Sequence, residues 1–301
     1  MLILSLQTTP SLSWSLDPVI SAIVAATALV YIRGVRRQPN SQTARPHKQV
    51  ALFIGLLTVF VALVSPLELM SRSLASAHMV QHQLLIAVGA PLLAWSAPGG
   101  VLACGSQFGR QLRPSRFVRS ATRKWYQQTR LILRRRSSTV IVLAAGLHIS
   151  SLWFWHAAKA YDATLESTFV HRIEHSSIFA AALAFWIPVT TVRLRPDRSL
   201  RMLLLFAVGI LNTFLAVLIT FATSPWYQGY ALTTDSWGLS HLGDQQLAGA
   251  IMWVPGGFVY LFGALGLLSG WLRSSDQSPG FRVRDPRRSR SQRCEEGISE
   301  C

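Results

Sequence analysis

Long uninterrupted runs of apolar residues divide the chain, and polar residues gather between these runs. Seven runs can be distinguished, at residues 12–32, 50–65, 79–97, 140–155, 169–192, 203–221 and 247–272. A run of about 20 apolar residues is long enough to cross a bilayer as a helix. The runs are continuous rather than alternating, which favours helices over the strands of a membrane barrel. The pattern therefore predicts an all-α membrane protein, a bundle of seven transmembrane helices.

The composition agrees with this prediction. Only 14% of the 301 residues are charged, against about 25% in typical soluble domains. Residues 1–273 form one predicted transmembrane domain, which includes a basic cytoplasmic loop at 98–138. Residues 274–301 are rich in Ser, Arg and Gly, and we expect them to form a disordered basic tail.

Basic residues are divided unevenly between the two sides that this topology defines. Alternate connections, together with the C-terminal tail, hold 26 of the 29 Lys and Arg residues, and the other connections hold three. Because basic loops stay in the cytoplasm, we expect the N-terminus outside and the C-terminus in the cytoplasm. The net charge of +16 is then mostly a consequence of topology. No nucleic-acid recognition fold accompanies it, so nucleic acid is not an expected partner.

The predicted loop at 110–136 has ten basic residues and no acidic ones. Phe117, Ala121 and Trp125 recur there at helical spacing, with arginines around them. This pattern is typical of an interfacial helix that lies on anionic lipid headgroups. A solvated basic loop that only sets the orientation is an equally good interpretation.

Five of the eight histidines fall in three motifs at the borders of the apolar runs. The motifs are His78-Met-Val-Gln-His82, Trp155-His156 and His171-Arg-Ile-Glu-His175. Residues four apart share a helix face, and the predicted topology places all three motifs at the outer boundary. Because imidazole suits Cu, Zn, Fe and Ni, the five histidines are candidate metal ligands. We expect them near solvent at helix ends, where binding headgroups or capping helices is the alternative.

Four other residues are possible auxiliary groups. Glu174 lies within the third motif, and Met79 offers a thioether that would favour Cu(I). Asp244 precedes the last run at the same level, and an N-cap on its own helix is the alternative. His148 lies eight residues before His156, about 12 Å deeper, where either a buried hydrogen bond or a relay is expected.

Aromatic residues gather at the same level as the histidine motifs. They end the fourth run and follow the sixth, and they are typical of the aromatic belt at a membrane interface. They are Trp153, Phe154, Trp155, Trp226, Tyr227, Tyr230 and Trp237.

At these residues the chain resembles the CtaG-type cytochrome c oxidase assembly factors. The resemblance rests on four blocks that keep the family's order over roughly residues 50–270. They are His78-Met-x-Gln-His82 with Ala90-Pro-Leu-Leu93; Trp155-His156 with Tyr161-Asp-Ala163; His171-x-x-Glu-His175 with Phe185-Trp186; and Asp244-Gln245 with Gly249 and Met252-Trp253. The family often has a proline where this chain has Ala158, and Lys159 is unexpected beside a cation site.

The resemblance implies an assembly role in the bacterial cytoplasmic membrane, which such proteins cross several times. They are needed for an active haem–copper oxidase of the caa type and are linked to copper loading at the outer face. We therefore expect copper as the bound metal, with zinc as the alternative. The expected partners are oxidase subunits or other oxidase assembly proteins.

Other classes of function stay open on the sequence alone. A membrane-embedded zinc hydrolase would use Asp162, Glu174 or Asp244 as a general base. A haem b electron carrier would take axial histidines from two helices. A di-iron oxygenase fits less well, because such sites generally need more histidines and a cytoplasmic position. The hypothesis that follows is an assembly factor without catalytic residues of its own.

Overall fold

The computed structural model describes residues 14–15, 17–37, 39, 44–96, 102, 137–190 and 198–276. The described residues form helices and turns and contain no strand. Among them, seven helices are long and apolar enough to cross a membrane, which confirms the predicted fold class and number of spans. The first to seventh spans are Pro18–Arg37, Pro46–Val64, Ala75–Ser96, Ser137–Trp155, Thr168–Thr190, Arg198–Thr220 and His241–Gly270.

The first span starts later than the apolar run that predicted it. It begins at Pro18, because Asp17 Oδ1 accepts hydrogen bonds from the backbone N–H groups of Val19 (2.8 Å) and Ile20 (3.2 Å). This is an N-cap followed by proline at the first helical position, a combination that defines a helix start.

The third and seventh spans, in contrast, start before their apolar runs, at Ala75 and His241. The extra turns of the third span carry polar residues, including Ser76 and His78, which are buried inside the bundle. Hydropathy therefore underestimates a helix wherever a polar turn is buried by the rest of the protein.

The third span changes its helical geometry in the middle. An α-helix at Ala75–Gln83 passes into a π-helix at Leu84–Gly89 and returns to an α-helix at Ala90–Ser96. Pro91 lies two residues after the end of the π-helix. Proline has no N–H to donate, and its ring clashes with the carbonyl four residues earlier in a regular helix. The wider turn removes that conflict. Such turns are frequent at functional sites, and this one begins two residues after His82.

The third and fifth spans are the most enclosed of the seven. Within their most apolar stretches, 61% and 50% of the residues are buried, against 11% in the first span and 17% in the seventh. These two central helices carry both HxxxH motifs, so the bundle folds around the histidines.

Short helical elements occupy the connections at the end of the bundle where the histidine motifs lie. They are helices Leu67–Met70 and Ala158–Glu166 and the 3-10 turns Gln228–Tyr230 and Thr234–Trp237. Hydropathy did not predict them, because each is too short to form an apolar run. The helix at Ala158 starts without the proline that is frequent in the family, and Lys159 is exposed.

An apolar cluster packs the third, sixth and seventh spans together beneath these short elements. It includes Met79, Leu215 and Met252, and the stacked rings of Tyr161 and Tyr227 (centroids 3.9 Å apart) complete it. Tyr227 and Tyr230 are buried, so their prediction as members of an interfacial aromatic belt is wrong. The connection folds inward and brings both rings to the centre of the bundle end.

The contact pattern divides the chain into two units, Met1–Ala264 and Leu265–Cys301. The first unit contains all the candidate site residues. The second unit is described as far as residue 276 and is helical there, so helix continues past residue 273, where we predicted the tail to start. The rest of the predicted tail and the predicted lipid-binding segment at 110–136 lie outside the described residues.

Candidate metal centre

The two HxxxH motifs converge on the carboxylate of Glu174. His78 Nε2 lies 3.1 Å from His175 Nε2 and 3.2 Å from Glu174 Oε2. His82 Nε2 lies 3.4 Å from Glu174 Oε1. The spacing of four residues brings each pair together as expected, with ring centroids 4.5 Å apart for His78 and His82 and 4.3 Å apart for His171 and His175.

Four of these residues form a group compact enough to hold one metal ion. Ligand atoms of His78, His171, Glu174 and His175 all lie within 4.8 Å of one another. The exposed fraction is at most 5% for each of these four residues, and the same holds for His82 and His156. The expectation that the motifs lie near solvent is therefore wrong, and headgroup binding does not explain them. The short elements of the adjoining connections cover this end of the bundle.

A tyrosine from the connection between the sixth and seventh spans fixes the orientation of His78. Tyr230 donates its hydroxyl proton to the carbonyl oxygen of Ser71 (2.7 Å), so the same hydroxyl oxygen accepts from His78 Nδ1 (3.3 Å). Burial raises the pKa of Tyr230 well above its usual range, which keeps the hydroxyl protonated. His78 therefore carries its proton on Nδ1 and directs the lone pair of Nε2 at Glu174.

A second carboxylate orients His171. Glu68 Oε1 lies 3.5 Å from His171 Nδ1 and 3.3 Å from Arg72, and its Oε2 accepts from Gln81 Nε2 (2.8 Å). A histidine that binds a metal through one ring nitrogen commonly donates the N–H of its other ring nitrogen to a carboxylate. This hydrogen bond leaves the first nitrogen free to bind the metal. His171 Nε2 is buried and has no hydrogen-bond partner within the described chain.

A backbone carbonyl orients His156 in the same way. The carbonyl oxygen of Leu152 lies 2.7 Å from His156 Nδ1 and accepts its proton. Nε2 is then the unprotonated nitrogen, and it too is buried without a partner in the described chain. Burial lowers the pKa of His156 to about 3, so the ring is neutral at ordinary pH. Neutral imidazole is the form that binds metals.

Within the described residues, several buried atoms of this group and of the adjoining histidines lack the hydrogen bonds that buried polar atoms normally make. They are both ring nitrogens of His82, Nε2 of His156, Nε2 of His171, and both carboxylate oxygens of Glu174. His78 Nε2 and Glu174 Oε2 lie 3.2 Å apart, a contact that needs either a proton or a metal ion between the two atoms. One proton satisfies one such contact and leaves the other atoms unpaired. The donor set therefore fits a metal ion.

Asp244 has a structural role that we did not predict. Its Oδ2 accepts from the backbone N–H of Ala75 (2.6 Å), and its Oδ1 accepts from the N–H (3.1 Å) and hydroxyl (2.5 Å) of Ser76. It therefore caps the third span rather than its own helix, and both oxygens are engaged away from the cluster. The turn that it caps carries His78.

The other two predicted auxiliary groups also lie apart from the compact group. Met79 packs in the apolar cluster with Leu215 and Met252. His148 Nε2 is hydrogen-bonded to the hydroxyl of Tyr260 (2.8 Å), and its ring stacks on Phe185. The interpretation of His148 as a buried hydrogen-bonding group matches this geometry.

Sequence reasoning missed the residues that orient the histidines. Gln81 was noted only as part of a motif, and Tyr230 was assigned to the interface. Nothing in the sequence pairs Glu68 with His171. Their contacts join residues far apart in the chain, so no local pattern could have indicated them.

A cavity of about 580 Å³ gives access to one side of the cluster. His171 and His175 line it together with Asp17, Glu68 and Arg172. Arg172 and Asp17 form an ion pair (2.8 Å) within this lining. The remaining wall is mainly apolar and comes from the first, second, third and fifth spans.

Fold and site together define a multi-pass membrane protein with a buried histidine–carboxylate cluster near one end of its bundle. The family model of the cytochrome c oxidase caa3 assembly factors matches residues 29–274, and the chain belongs to this family. The match confirms the resemblance drawn from the motifs. No curated protein and no solved structure matches the chain significantly.

Replacing Asp244 with alanine should destabilise the protein. The loss of an N-cap costs about 0.5–2 kcal/mol, and the buried N–H groups of Ala75 and Ser76 would lose their acceptor. We expect a lower unfolding temperature for the purified protein in detergent. Asp235→Ala, at an exposed position, is the control and should leave that temperature unchanged. An equal unfolding temperature for both variants would contradict the capping role.

Proposed function

We propose that this protein binds copper through its buried histidine–carboxylate cluster and assists maturation of the copper centre of a haem–copper cytochrome c oxidase. The observation that supports this most strongly is the set of unpaired nitrogens and oxygens that converge at the centre of the bundle end. Membership of the oxidase assembly family supplies the process in which a held metal ion would be used.

The spacing of the inner atoms agrees with a metal shell. Ligand atoms about 2.0 Å from a tetrahedral ion are about 3.3 Å apart. The separations from His78 Nε2 to His175 Nε2 and to Glu174 Oε2 are 3.1 and 3.2 Å. His171 completes a set of three imidazoles and one carboxylate within the same 4.8 Å group.

Copper is the metal that we favour for this set, and zinc is the alternative. Imidazole binds both ions well, so the donor type does not separate them. The oxidases that such assembly factors serve contain copper, which gives a copper site a direct use. The cavity that reaches His171 and His175 supplies a path along which the ion enters or leaves.

The competing functions fit the geometry less well. Of the predicted bases for a zinc hydrolase, Asp244 caps the third span and Asp162 accepts from the backbone N–H of Gly229 (3.2 Å). The third, Glu174, lies among the histidines, where we propose it as a metal ligand. A haem iron needs two trans nitrogens about 4 Å apart, twice a metal–nitrogen bond of about 2.0 Å. The Nε2 atoms of His78 and His175 are closer, at 3.1 Å, and the neighbouring rings leave no room for a macrocycle.

We place the cluster at the outer face of the bacterial cytoplasmic membrane. The unequal distribution of Lys and Arg supports this orientation, because the predicted topology assigns 26 of the 29 basic residues to the opposite side. Oxidase subunits or other assembly proteins would meet the site there.

A reporter enzyme that is active only outside the cytoplasm tests this orientation. Inserted after Leu232, a fully exposed position beside the cluster, it should be active. Fused after Arg293 in the basic tail, it should be silent. The reverse pattern would place the cluster in the cytoplasm and contradict an outer-face role.

The assembly role is tested in a strain that lacks the protein. We expect oxidase subunits to be inserted and most of their haem to be retained, with reduced copper content and low cytochrome c oxidase activity. The wild-type protein and His47→Ala, a variant at an exposed position, should restore activity. Glu174→Gln, which keeps the volume but removes the charge, should not. Normal oxidase copper and activity in the deletion strain would contradict the proposal.

A further inference from the structure

The compact four-residue group leaves two of the motif histidines without a role. His82 and His156 do not belong to the group whose ligand atoms all lie within 4.8 Å. Both are nevertheless buried, and within the described residues neither nitrogen of His82 nor Nε2 of His156 has a hydrogen-bond partner. Their rings adjoin each other, with centroids 5.4 Å apart. One ion cannot gather all five histidines and the carboxylate at bonding distance.

Glu174 faces the two sets of histidines with different oxygens. Oε2 lies 3.2 Å from His78 Nε2, whereas Oε1 lies 3.4 Å from His82 Nε2. Both separations are close to the 3.3 Å expected, as an approximate value, between two ligands of one ion. Each oxygen therefore lies at a distance suited to a metal ligand. Oε2 would bind an ion beside His78, and Oε1 would bind an ion beside His82.

The orientation of His156 supports a second position. Its Nδ1 proton is held by the carbonyl of Leu152 (2.7 Å), so its lone pair on Nε2 is available. His82 approaches the same region from the third span and has no hydrogen-bond partner in the described chain for either nitrogen. Two imidazoles and one carboxylate oxygen make a three-ligand set, which leaves a position open for an exchanging ligand.

We propose that the site is dinuclear, with Glu174 bridging two metal ions. His78, His171 and His175 bind the first ion together with Glu174 Oε2, and His82 and His156 bind the second together with Glu174 Oε1. A carboxylate bridge is consistent with ions about 3.5–4 Å apart, as in other two-metal sites. The proposal rests on the proposed copper-binding function and specifies how many ions the cluster takes.

The stoichiometry of copper binding tests the second position. Purified protein in detergent is loaded anaerobically with Cu(I) alone, and copper is measured against protein by elemental and amino-acid analysis. We expect about two ions per chain for the wild type and for His47→Ala, and about one for the His82→Ala/His156→Ala double variant. About one ion in the wild type would overturn the second position and leave the first intact. No retained copper would overturn both.

A measurement on the wild type alone covers the case in which the double variant does not fold. Air oxidation of the copper-loaded protein produces Cu(II), which is paramagnetic. Two ions bridged by one carboxylate should give an electron paramagnetic resonance spectrum of coupled spins, with a half-field transition. The spectrum of isolated Cu(II) ions in a sample that holds two coppers per chain would overturn the bridge.

Discussion

A carboxylate buried among histidines is the constraint on which the arrangement depends. Glu174 lies in the second turn of the fifth span and is fully buried. An uncompensated charge is costly at a buried position. Within the described residues its close neighbours are imidazole nitrogens, and His78 Nε2 lies 3.2 Å from its Oε2. The metal binding that we propose would compensate the buried charge and give these nitrogens and oxygens partners.

The rest of the bundle end can be understood as support for that centre. Tyr230, Glu68 and the carbonyl of Leu152 each hold the Nδ1 atom of a different histidine, so that Nε2 is free. Asp244 caps the turn that carries His78, and the connections between spans cover the cluster. Outer groups that fix ring orientation increase the affinity of a metal site. This arrangement suits the proposed role, in which the cluster would retain an ion until an oxidase subunit or assembly protein receives it.

The sequence predicted the spans and the gathering of the motif histidines better than it predicted their environment. Apolar runs define seven helices because lipid requires long apolar segments, and the spacing of His171 and His175 fixes a shared face. Burial of the motifs was not predictable, because the covering elements, such as Ala158–Glu166, are short and weakly apolar. Asp244 shows the same limit: its role as a cap depends on Ala75, a contact across 169 positions of the chain.

X-ray absorption at the copper K-edge of the copper-loaded protein tests the central claim most directly. We expect nitrogen or oxygen neighbours at about 2.0 Å from the copper, with the outer-shell scattering of imidazole rings. We expect no sulfur neighbour, since Met79 packs in the apolar cluster. A spectrum with sulfur at about 2.3 Å, or without the imidazole pattern, would contradict copper binding by the histidine–carboxylate cluster.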